Sequence, residues 1–379
     1  MDRGHVSLVE AVIKVFTSNP ENKLDVYIRK AGFSQISHLQ GIPKVSFILV
    51  GDNESVSAIL KRISANTYHE LFITTLDKYI REFSEWDMPA NTNLVIHNID
   101  LWFHISFPAV LRRFFLNFGH YNLKYNIKQN LIYPRYYKTI VNKIIGSKGK
   151  LVVLNTKLRH VLSSFVAQEH VQVIPFQVFD QQILSGREEV IAEDRRIRIC
   201  IPGEVSQTRR DYAALFNCFL NDQELMDGFA LDLLGSLPET DPANLRSQIE
   251  QLQQRGMAVY TYGPQRIPMS LYDTNALKAD IIMGNMHVKL MGSAVYGKTK
   301  DTGAIYNMIK YACPGLLPAH YDLIDELKSS TWIYEDYQSL GSLLKTIMFD
   351  KQKRSEMKKH ALKNAAYFTP SEVYNRFIN

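Results

Sequence analysis

The stretch Tyr296–Pro318, YGKTKDTGAIYNMIKYACPGLLP, decides how the rest of the chain is read. Gly297, Lys298, Thr299, Lys300, Asp301, Thr302 and Gly303 form a polar, glycine-flanked loop. GAIYNMIKYA, Gly303–Ala312, follows with helical spacing, and PGLLP, Pro314–Pro318, reads as a short buried strand. DIIMGN, Asp280–Asn285, precedes the loop as another strand. Strand, loop, helix, strand is the repeating unit of a parallel α/β sheet. The loop itself suits an anion. A helix N-terminus offers unpaired N–H groups and a partial positive charge, Asp301 or Thr302 can cap it, and Gly303 lets backbone approach a ligand. Lys298 and Lys300 add full charges, which makes a diphosphate the simplest ligand. The spacing is not that of a Walker loop, so the motif alone does not fix the chemistry.

Working back from this loop, the same alternation continues. IRICIPG (Ile197–Gly203), FALDLLG (Phe229–Gly235) and MAVYTYG (Met257–Gly263) read as strands. RRDYAALFNCFL (Arg209–Leu220), PANLRSQIEQLQQRG (Pro242–Gly256) and SLYDTNALKA (Ser270–Ala279) read as helices, the second closed by Gly256 as a C-terminal cap. SLGSLLKTIMF (Ser339–Phe349) and QKRSEMKKHALKNAAYF (Gln352–Phe368) read as terminal helices.

The first half repeats the pattern. SLVEAVIKVF (Ser7–Phe16) and SVSAILKRI (Ser55–Ile63) have helical spacing. KLDVYI, KVSFILVG, ELFITTL, TNLVIHNI, GKLVVLNT and HVQVIPF supply strands between Lys23 and Phe176. The near-continuous apolar runs among them are typical of strands buried on both faces. The charged segment Asp180–Arg196 is the expected linker. The expectation is an α/β protein of two Rossmann-like domains facing a cleft, with residues 1–180 as the first, 190–350 as the second and 351–379 as C-terminal helices. In such sheets ligands sit beyond the carboxyl ends of the strands.

Composition narrows the class. The chain has 379 residues, 46% of them hydrophobic and 22% charged, which is a globular balance. No run is long and apolar enough for a membrane span, and the N-terminal apolar stretch is broken by Glu10 and Lys14, unlike a signal peptide. The expected location is cytoplasmic. Cys200, Cys218 and Cys313 are far apart, so neither a zinc site nor a disulfide framework is indicated. The net charge of +6 is unevenly spread: Leu101–Lys150 contains no Asp or Glu, but nine Lys and Arg interleaved with aromatics. SFPAVLRRFFLNFGHY places Phe107, Val110, Leu111, Phe114, Phe115 and Phe118 on one helical face with Arg112 and Arg113 between. That face is either core or a surface that rests on anionic lipid at the inner side of a membrane. No nucleic-acid-binding motif accompanies it, so specific nucleic-acid recognition is not expected.

His97 ends the TNLVIHNI strand, with Asn98 and Asp100 after it. A strand-end histidine is either a hydrogen-bonded core residue or a group that orients a hydroxyl or moves a proton. Asp100 either orients that imidazole or caps the next helix. His5 stands open to the same two readings. Arg209 and Arg210, at the start of the next domain's first helix, are candidates for phosphate oxygens.

With these segments in place, the second half resembles the nucleotide-sugar domain of GT-B glycosyltransferases, above all the large retaining family that builds surface polysaccharides. That family opens the domain with a strand, a Gly-Arg pair and a later lysine. IPGEVSQTRRDY has Gly203, Glu204 in place of the arginine, and Arg209 at the lysine. VYTYGPQRIPMSLYDTNALKADIIMGN resembles the strand–loop–helix–strand that receives the base, which implies Gly263, Pro264 and Gln265 as base contacts. VIHNIDLWF resembles the stretch carrying the active-site histidine, and Gly4 and His5 the first glycine loop on the acceptor side.

The resemblance implies a hexosyltransferase of retaining type, moving sugar from a nucleotide-diphosphate donor to a saccharide or lipid-linked acceptor in cell-surface polysaccharide biosynthesis. His97 and Asp100 would be catalytic. Arg209, Lys298, Lys300, Thr302 and Gly303 would hold the diphosphate, so neither metal nor further cofactor is implied. Three departures stand out. The family's paired glutamates fall on Lys300 and Met308, its glycine-following arginine is Glu204, and the first strand of the N-terminal domain is missing ahead of Ser7–Phe16. A nucleotide-sugar epimerase and a non-catalytic binding protein of the same fold are the alternatives.

Overall fold

A computed structural model of the protein describes residues 5–76, 79–103, 107–116, 123–185, 196–239, 244–287 and 295–379. The chain forms two compact units. The first takes in residues 1–176, 291–301 and 370–379, and the second residues 177–290 and 302–369. Neither is one continuous piece of sequence. The expected linker falls largely on residues 186–195, outside the described residues, and ahead of them Gln181–Leu184 forms a short turn capped by Asp180.

The strands of the first unit are β1 (Leu24–Arg29), β2 (Val45–Val50), β3 (Leu71–Ile73), β4 (Thr92–Val95), β5 (Leu151–Val153) and β6 (Val171–Val173). They make two separate parallel sheets, β1–β2 and β3–β4–β5–β6. Helices connect them in the order expected of parallel strands: α1 (Val6–Thr17) ahead of β1, α2 (Lys30–Ile36) between β1 and β2, α3 (Val56–Ser64) before β3, and α4 (Ile80–Glu85) before β4. α5 (Ile99–Phe103), α6 (Phe107–Leu116), α7 (Leu123–Ile127) and α8 (Pro134–Gly146) lie between β4 and β5, and α9 (Thr156–Leu162) between β5 and β6. β4 and β5 are buried along their whole length, as their apolar runs require. α1 buries Val6, Val9, Ile13 and Phe16, and its N-terminal end packs on Val26 and Ile28 of β1.

The second unit has one six-stranded parallel sheet. Its strands are β7 (Ile197–Cys200), β8 (Phe229–Asp232), β9 (Ala258–Tyr260), β10 (Ile281–Met283), β11 (Gly315–Pro318) and β12 (Thr331–Tyr334), in the order β12-β11-β10-β7-β8-β9. β7, the first in sequence, lies in the middle, paired with β8 on one side and β10 on the other. Phe216, Phe219 and Phe229 are fully buried in a core that spans the strands and the flanking helices. Each such aromatic contributes about 1.5–3 kcal/mol by leaving water. At the end of β8, the Asp232 carboxylate is fully buried and accepts from the Arg198 guanidinium at 2.7 and 3.0 Å and from the Tyr262 hydroxyl at 2.8 Å. Arg198 also stacks over the Tyr260 ring, so the charge pair joins three neighbouring strands and the loop after β9.

One expectation about the basic, aromatic stretch is revised. The residues expected on one helical face are split: Val110 is buried, whereas Leu111 and Phe115 face solvent. Elsewhere in the stretch Trp102 and Tyr137 are core, their rings 4.4 Å apart. The exposed group extends to Leu123, Leu131 and Ile132. Phe118 and the side chains of Phe107, Arg112 and Arg113 lie outside the described residues. No helix among the described residues is long and apolar enough to cross a membrane.

Candidate functional site

His5 and His97 come together in the first unit. His5 sits at the N-terminal end of α1, where its carbonyl accepts from the Leu8 amide at 3.1 Å. His97 lies two residues beyond β4, and the two rings are 4.1 Å apart and tilted by 52°. Phe176 meets the His5 ring edge-on. The His97 Nε2–H donates to the Thr74 carbonyl at 2.9 Å. That bond fixes the tautomer and leaves Nδ1 as the accepting nitrogen. Burial, with help from His5 and Lys300, pushes the His97 pKa down to about 3. The Thr74 carbonyl opposes the shift but does not offset it. His97 is therefore a neutral acceptor at neutral pH, suited to orient a hydroxyl more than to carry its proton away.

Asp100 is buried in the first turn of α5. The group that caps this helix is Asn98, whose Oδ1 accepts from the Leu101 amide, so the capping role considered for Asp100 belongs to its neighbour. Gly4 lies outside the described residues.

The Tyr296–Gly303 loop is a compact turn. Gly297 has a φ of +78°, and the amides of Lys298, Thr299 and Lys300 all point at the Val295 carbonyl, at 3.1–3.3 Å. Those amides are used internally, so the lysine side chains and not their backbones are what the turn offers to an anion. Lys298 is exposed and Lys300 half-buried. The turn is tied to the first unit: the Thr299 carbonyl accepts from the Ile99 amide at 3.0 Å at the start of α5, and Asp301 accepts from the Asn155 side chain. Asn155 in turn caps α9. Sequence reading assigns the whole loop to the second domain, but the fold divides it, with residues 291–301 in the first unit and Thr302 onward in the second.

The helix after the loop, Gly303–Lys310, is capped by Thr302, whose hydroxyl accepts from the Ala304 amide at 3.3 Å. Gly303 is exposed, and a Cβ built on it meets nothing within 4 Å, so the helix N-terminus opens on free space. The rest of the helix is buried and pinned at its far end, where Lys310 Nζ and the Tyr311 hydroxyl donate to the Asp273 carboxylate at 2.8 and 2.5 Å. Met308, where the resemblance places a glutamate, is core, and its methyl end packs on Gly315.

The loop after β7 is shaped by close backbone approach. Gly203 has a φ of +99°, and a Cβ on Gly235 would lie 2.0 Å from the Gly203 carbonyl, so the loops after β7 and β8 meet only because Gly235 has no side chain. Arg210 wraps onto this loop and donates to the carbonyls of Pro202 at 2.5 Å and Glu204 at 3.1 Å. Arg209 is exposed. Both arginines lie in the turn ahead of the Tyr212–Leu220 helix, whose cap is Asp211. Gly263, Pro264 and Gln265 form the loop beyond β9. Gly263 has a φ of +74°, its carbonyl accepts from the Leu237 amide at 2.8 Å, and Pro264 and Gln265 are exposed.

Sequence reading missed Asn285. It lies two residues beyond β10, fully buried, and neither its Nδ2 nor its Oδ1 has a partner among the described residues. An unmatched buried amide costs about 1–3 kcal/mol. Around it, His287 and His320 engage the carbonyls of Gln207 and Met286. The only sequence signal is an asparagine just past a strand's carboxyl end. Among the described residues no group of three or more His, Cys, Asp or Glu side chains is arranged to hold a metal ion.

This architecture is the α/β fold of GT-B glycosyltransferases, built from two Rossmann-like units. No family model matches the chain, and no curated protein matches it in sequence. The likeness is to solved structures. Anabaena HepE in complex with UDP and glucose is 12% identical over 100% of this chain and 95% of that one, with a TM-score of 0.60. A Rickettsia africae glycosyltransferase is 10% identical over 97% and 92%, with a TM-score of 0.59. WaaG, a glycosyltransferase involved in lipopolysaccharide biosynthesis, is 12% identical over 98% and 95%, with a TM-score of 0.55.

Proposed function

We propose that the protein is a glycosyltransferase that moves a sugar from a nucleotide-diphosphate donor to a saccharide or lipid-linked saccharide acceptor in cell-surface polysaccharide synthesis. The observation that carries this reading is the Thr302-capped helix start, open at Gly303, with Lys298 and Lys300 five and three residues ahead of it along the chain. A leaving diphosphate is stabilised by such a helix terminus and by cationic side chains aimed at its oxygens. Arg209, exposed beyond β7, adds a guanidinium suited to phosphate. Neutralisation by these groups makes the transfer metal-independent, and the resemblance assigns it a retaining outcome. Gly263, Pro264 and Gln265 receive the base on an exposed loop, and His97, held neutral, accepts from a sugar hydroxyl. Asp100 and His5 belong to the same acceptor-side set, with Gly4 by resemblance. That HepE has been crystallised with UDP, glucose and UDP-glucose supports a nucleotide-sugar donor.

The proposed place of work is the cytoplasm, with peripheral contact at the inner face of a membrane. The exposed Leu111, Phe115, Leu123 and Leu131 in an acid-free stretch support contact with anionic lipid.

A non-catalytic nucleotide-binding protein is the second reading. It is favoured by one observation, the lysine and the buried methionine at positions where the resembled family carries glutamates. Calorimetry with nucleoside diphosphates, followed by donor turnover with product detection, separates the two. Binding with turnover supports the transferase, binding without turnover supports the second reading, and no binding to any common nucleoside diphosphate removes both.

A further inference from the structure

In the second unit, the loop assigned to the base and the helix assigned to the diphosphate are joined by side chains that belong to neither contact. Gly263, Pro264 and Gln265 run on into the helix Met269–Leu277. Tyr272 lies at the start of that helix, where its amide donates to the Pro268 carbonyl at 2.9 Å. The Tyr272 hydroxyl donates to Asn307 Oδ1 at 2.9 Å. Asn307 Nδ2 in turn donates to the Gly303 carbonyl at 2.7 Å. Asn307 is buried, and both ends of its amide are matched by these two bonds. A relay of two hydrogen bonds therefore runs from the first turn of one helix to the first residue of the other.

Gly303 is where such a hold matters. Glycine has the widest choice of backbone angles, and nothing lies within 4 Å of where its Cβ would stand, so packing does not fix this residue. Its carbonyl and the Ala304 N–H belong to one planar trans peptide and point in opposite directions. Holding the carbonyl along the helix toward Asn307 aims the Ala304 N–H back at the helix start. There the Thr302 hydroxyl accepts from it at 3.3 Å, and there an anion would bind. A helix start aimed before the ligand arrives does not have to reorganise when charge develops.

A second link between the same two helices provides a contrast. Asp273, next to Tyr272, accepts from Lys310 Nζ at 2.8 Å and from the Tyr311 hydroxyl at 2.5 Å. It fastens the helix at the end away from Gly303. Adjacent residues of one helix thus anchor the other in two ways. The neutral relay reaches the ligand end, and the charge pair does not.

We propose, on the nucleotide-diphosphate reading above, that Asn307 is a positioning residue for the diphosphate and that Tyr272 ties its grip to the base loop. A base seated at Gly263–Gln265 steadies the first turn of its helix, and through Tyr272 and Asn307 it steadies the peptide at Gly303. Neither side chain touches the ligand. The base half and the phosphate half of the donor are then bound cooperatively, so that a nucleotide of the right base meets a better ordered phosphate site.

The test uses the full chain as wild type, Asn307→Ala, Tyr272→Phe and the double variant, with Asp273→Ala as a structural control. Calorimetry compares UDP, GDP and ADP with the corresponding nucleosides. Asn307→Ala is expected to weaken diphosphate binding about tenfold and Tyr272→Phe about threefold, the scale of one hydrogen bond, with nucleoside affinity changed by less than about twofold. The double variant should bind no more weakly than Asn307→Ala, because Tyr272 acts only through Asn307. Asp273→Ala should lower the melting temperature and leave the ratio of the two affinities unchanged. Hydrogen exchange of residues 302–306 is the second readout. The nucleoside alone should slow it at least about twofold in the wild type but not in Tyr272→Phe, which keeps the ring and carries the test alone should Asn307→Ala fold poorly. Equal losses for diphosphate and nucleoside, additive effects in the double variant, or wild-type exchange at 302–306 that ignores the nucleoside would each overturn the coupling and leave Asn307 a packing residue. If none of the three diphosphates binds the wild type, the nucleotide reading itself fails, and the coupling fails with it.

Discussion

The sheet of the second unit and the split sheets of the first answer the same topological demand with different means. In the second, β7 runs through the middle and pairs on both sides, and Ile199 and Cys200 on it are fully buried. In the first, β1 and β3 belong to separate sheets and line a cavity of about 440 Å³. A central parallel strand supplies two ladders of hydrogen bonds and two buried faces, so the two units are expected to differ in cooperativity although their chain paths run alike.

The sharpest way to break that comparison is to weaken each core and see which loss is larger. Phe216→Ala, deep in the second unit, is expected to cost about 3–5 kcal/mol, whereas Val26→Ala, beside the cavity, is expected to cost about 1 kcal/mol because the removed methyls already border a void. Denaturant unfolding followed by hydrogen exchange measures both, and equal losses would mean that the cavity's surroundings are packed as tightly as the second core.

Asp273→Ala tests how firmly the second unit holds its helix start. Lys310 is buried and relies on Asp273, itself partly exposed, so a loss of about 2 kcal/mol is expected, below the full cost of orphaning a buried charge. The loss should appear in the second unit's exchange and leave β3–β6 unaltered. A change spread evenly over both units would contradict this.

Lys298→Ala is expected to weaken nucleoside diphosphate binding by about 1–2 kcal/mol and nucleoside binding hardly at all, the signature of a charge-assisted phosphate contact. Calorimetry with the paired ligands reads it directly. Equal losses for both ligands would move Lys298 away from the phosphates.

A further effect is confined to the first unit and depends on pH. His97 in the folded protein is held near 3, below its ordinary value of 6.5, so the unfolded chain takes up the proton first. Stability from this residue is complete above about pH 6.5 and falls by about 1 kcal/mol per pH unit toward pH 3. A His97→Gln variant, able to donate to the Thr74 carbonyl without titrating, is expected to lose less across that window. Parallel stability profiles for the two proteins would show that the imidazole is not held neutral by its surroundings.

Much of this architecture is legible in the sequence because it is local. The strand–loop–helix–strand around Tyr296–Pro318, the Gly256 cap and the six strands of the first half follow from apolar runs and their punctuation. β12 was not legible: it is a four-residue edge strand with Ile333 exposed and no glycine or proline to mark its start. The Pro370–Ile378 helix falls within the expected C-terminal helices of residues 351–379, but that it belongs to the first unit was not legible, since its apolar residues face a partner distant in sequence. At the site, chemistry was easier to read than geometry. Lys298, Thr302 and Gly303 announce an anion by type and order, but that Arg210 binds its own loop, that Asn98 and not Asp100 caps α5, and that Asn285 is buried without a partner all depend on contacts between segments far apart.

The Pro370–Ile378 helix has a consequence for how the protein is made. It packs on α1, with Phe377 against Phe16 and Phe72 and with the Asn19 side chain donating to the Tyr374 hydroxyl at 3.0 Å. The ribosome delivers these residues after every residue of the second unit, yet they belong to the first. The usual vectorial order, in which an N-terminal domain folds before the rest emerges, is therefore unavailable to this chain. Its earliest-synthesised unit is the last to be completed. Until residues 370–379 emerge, Phe16 and Phe72 remain without their Phe377 partner.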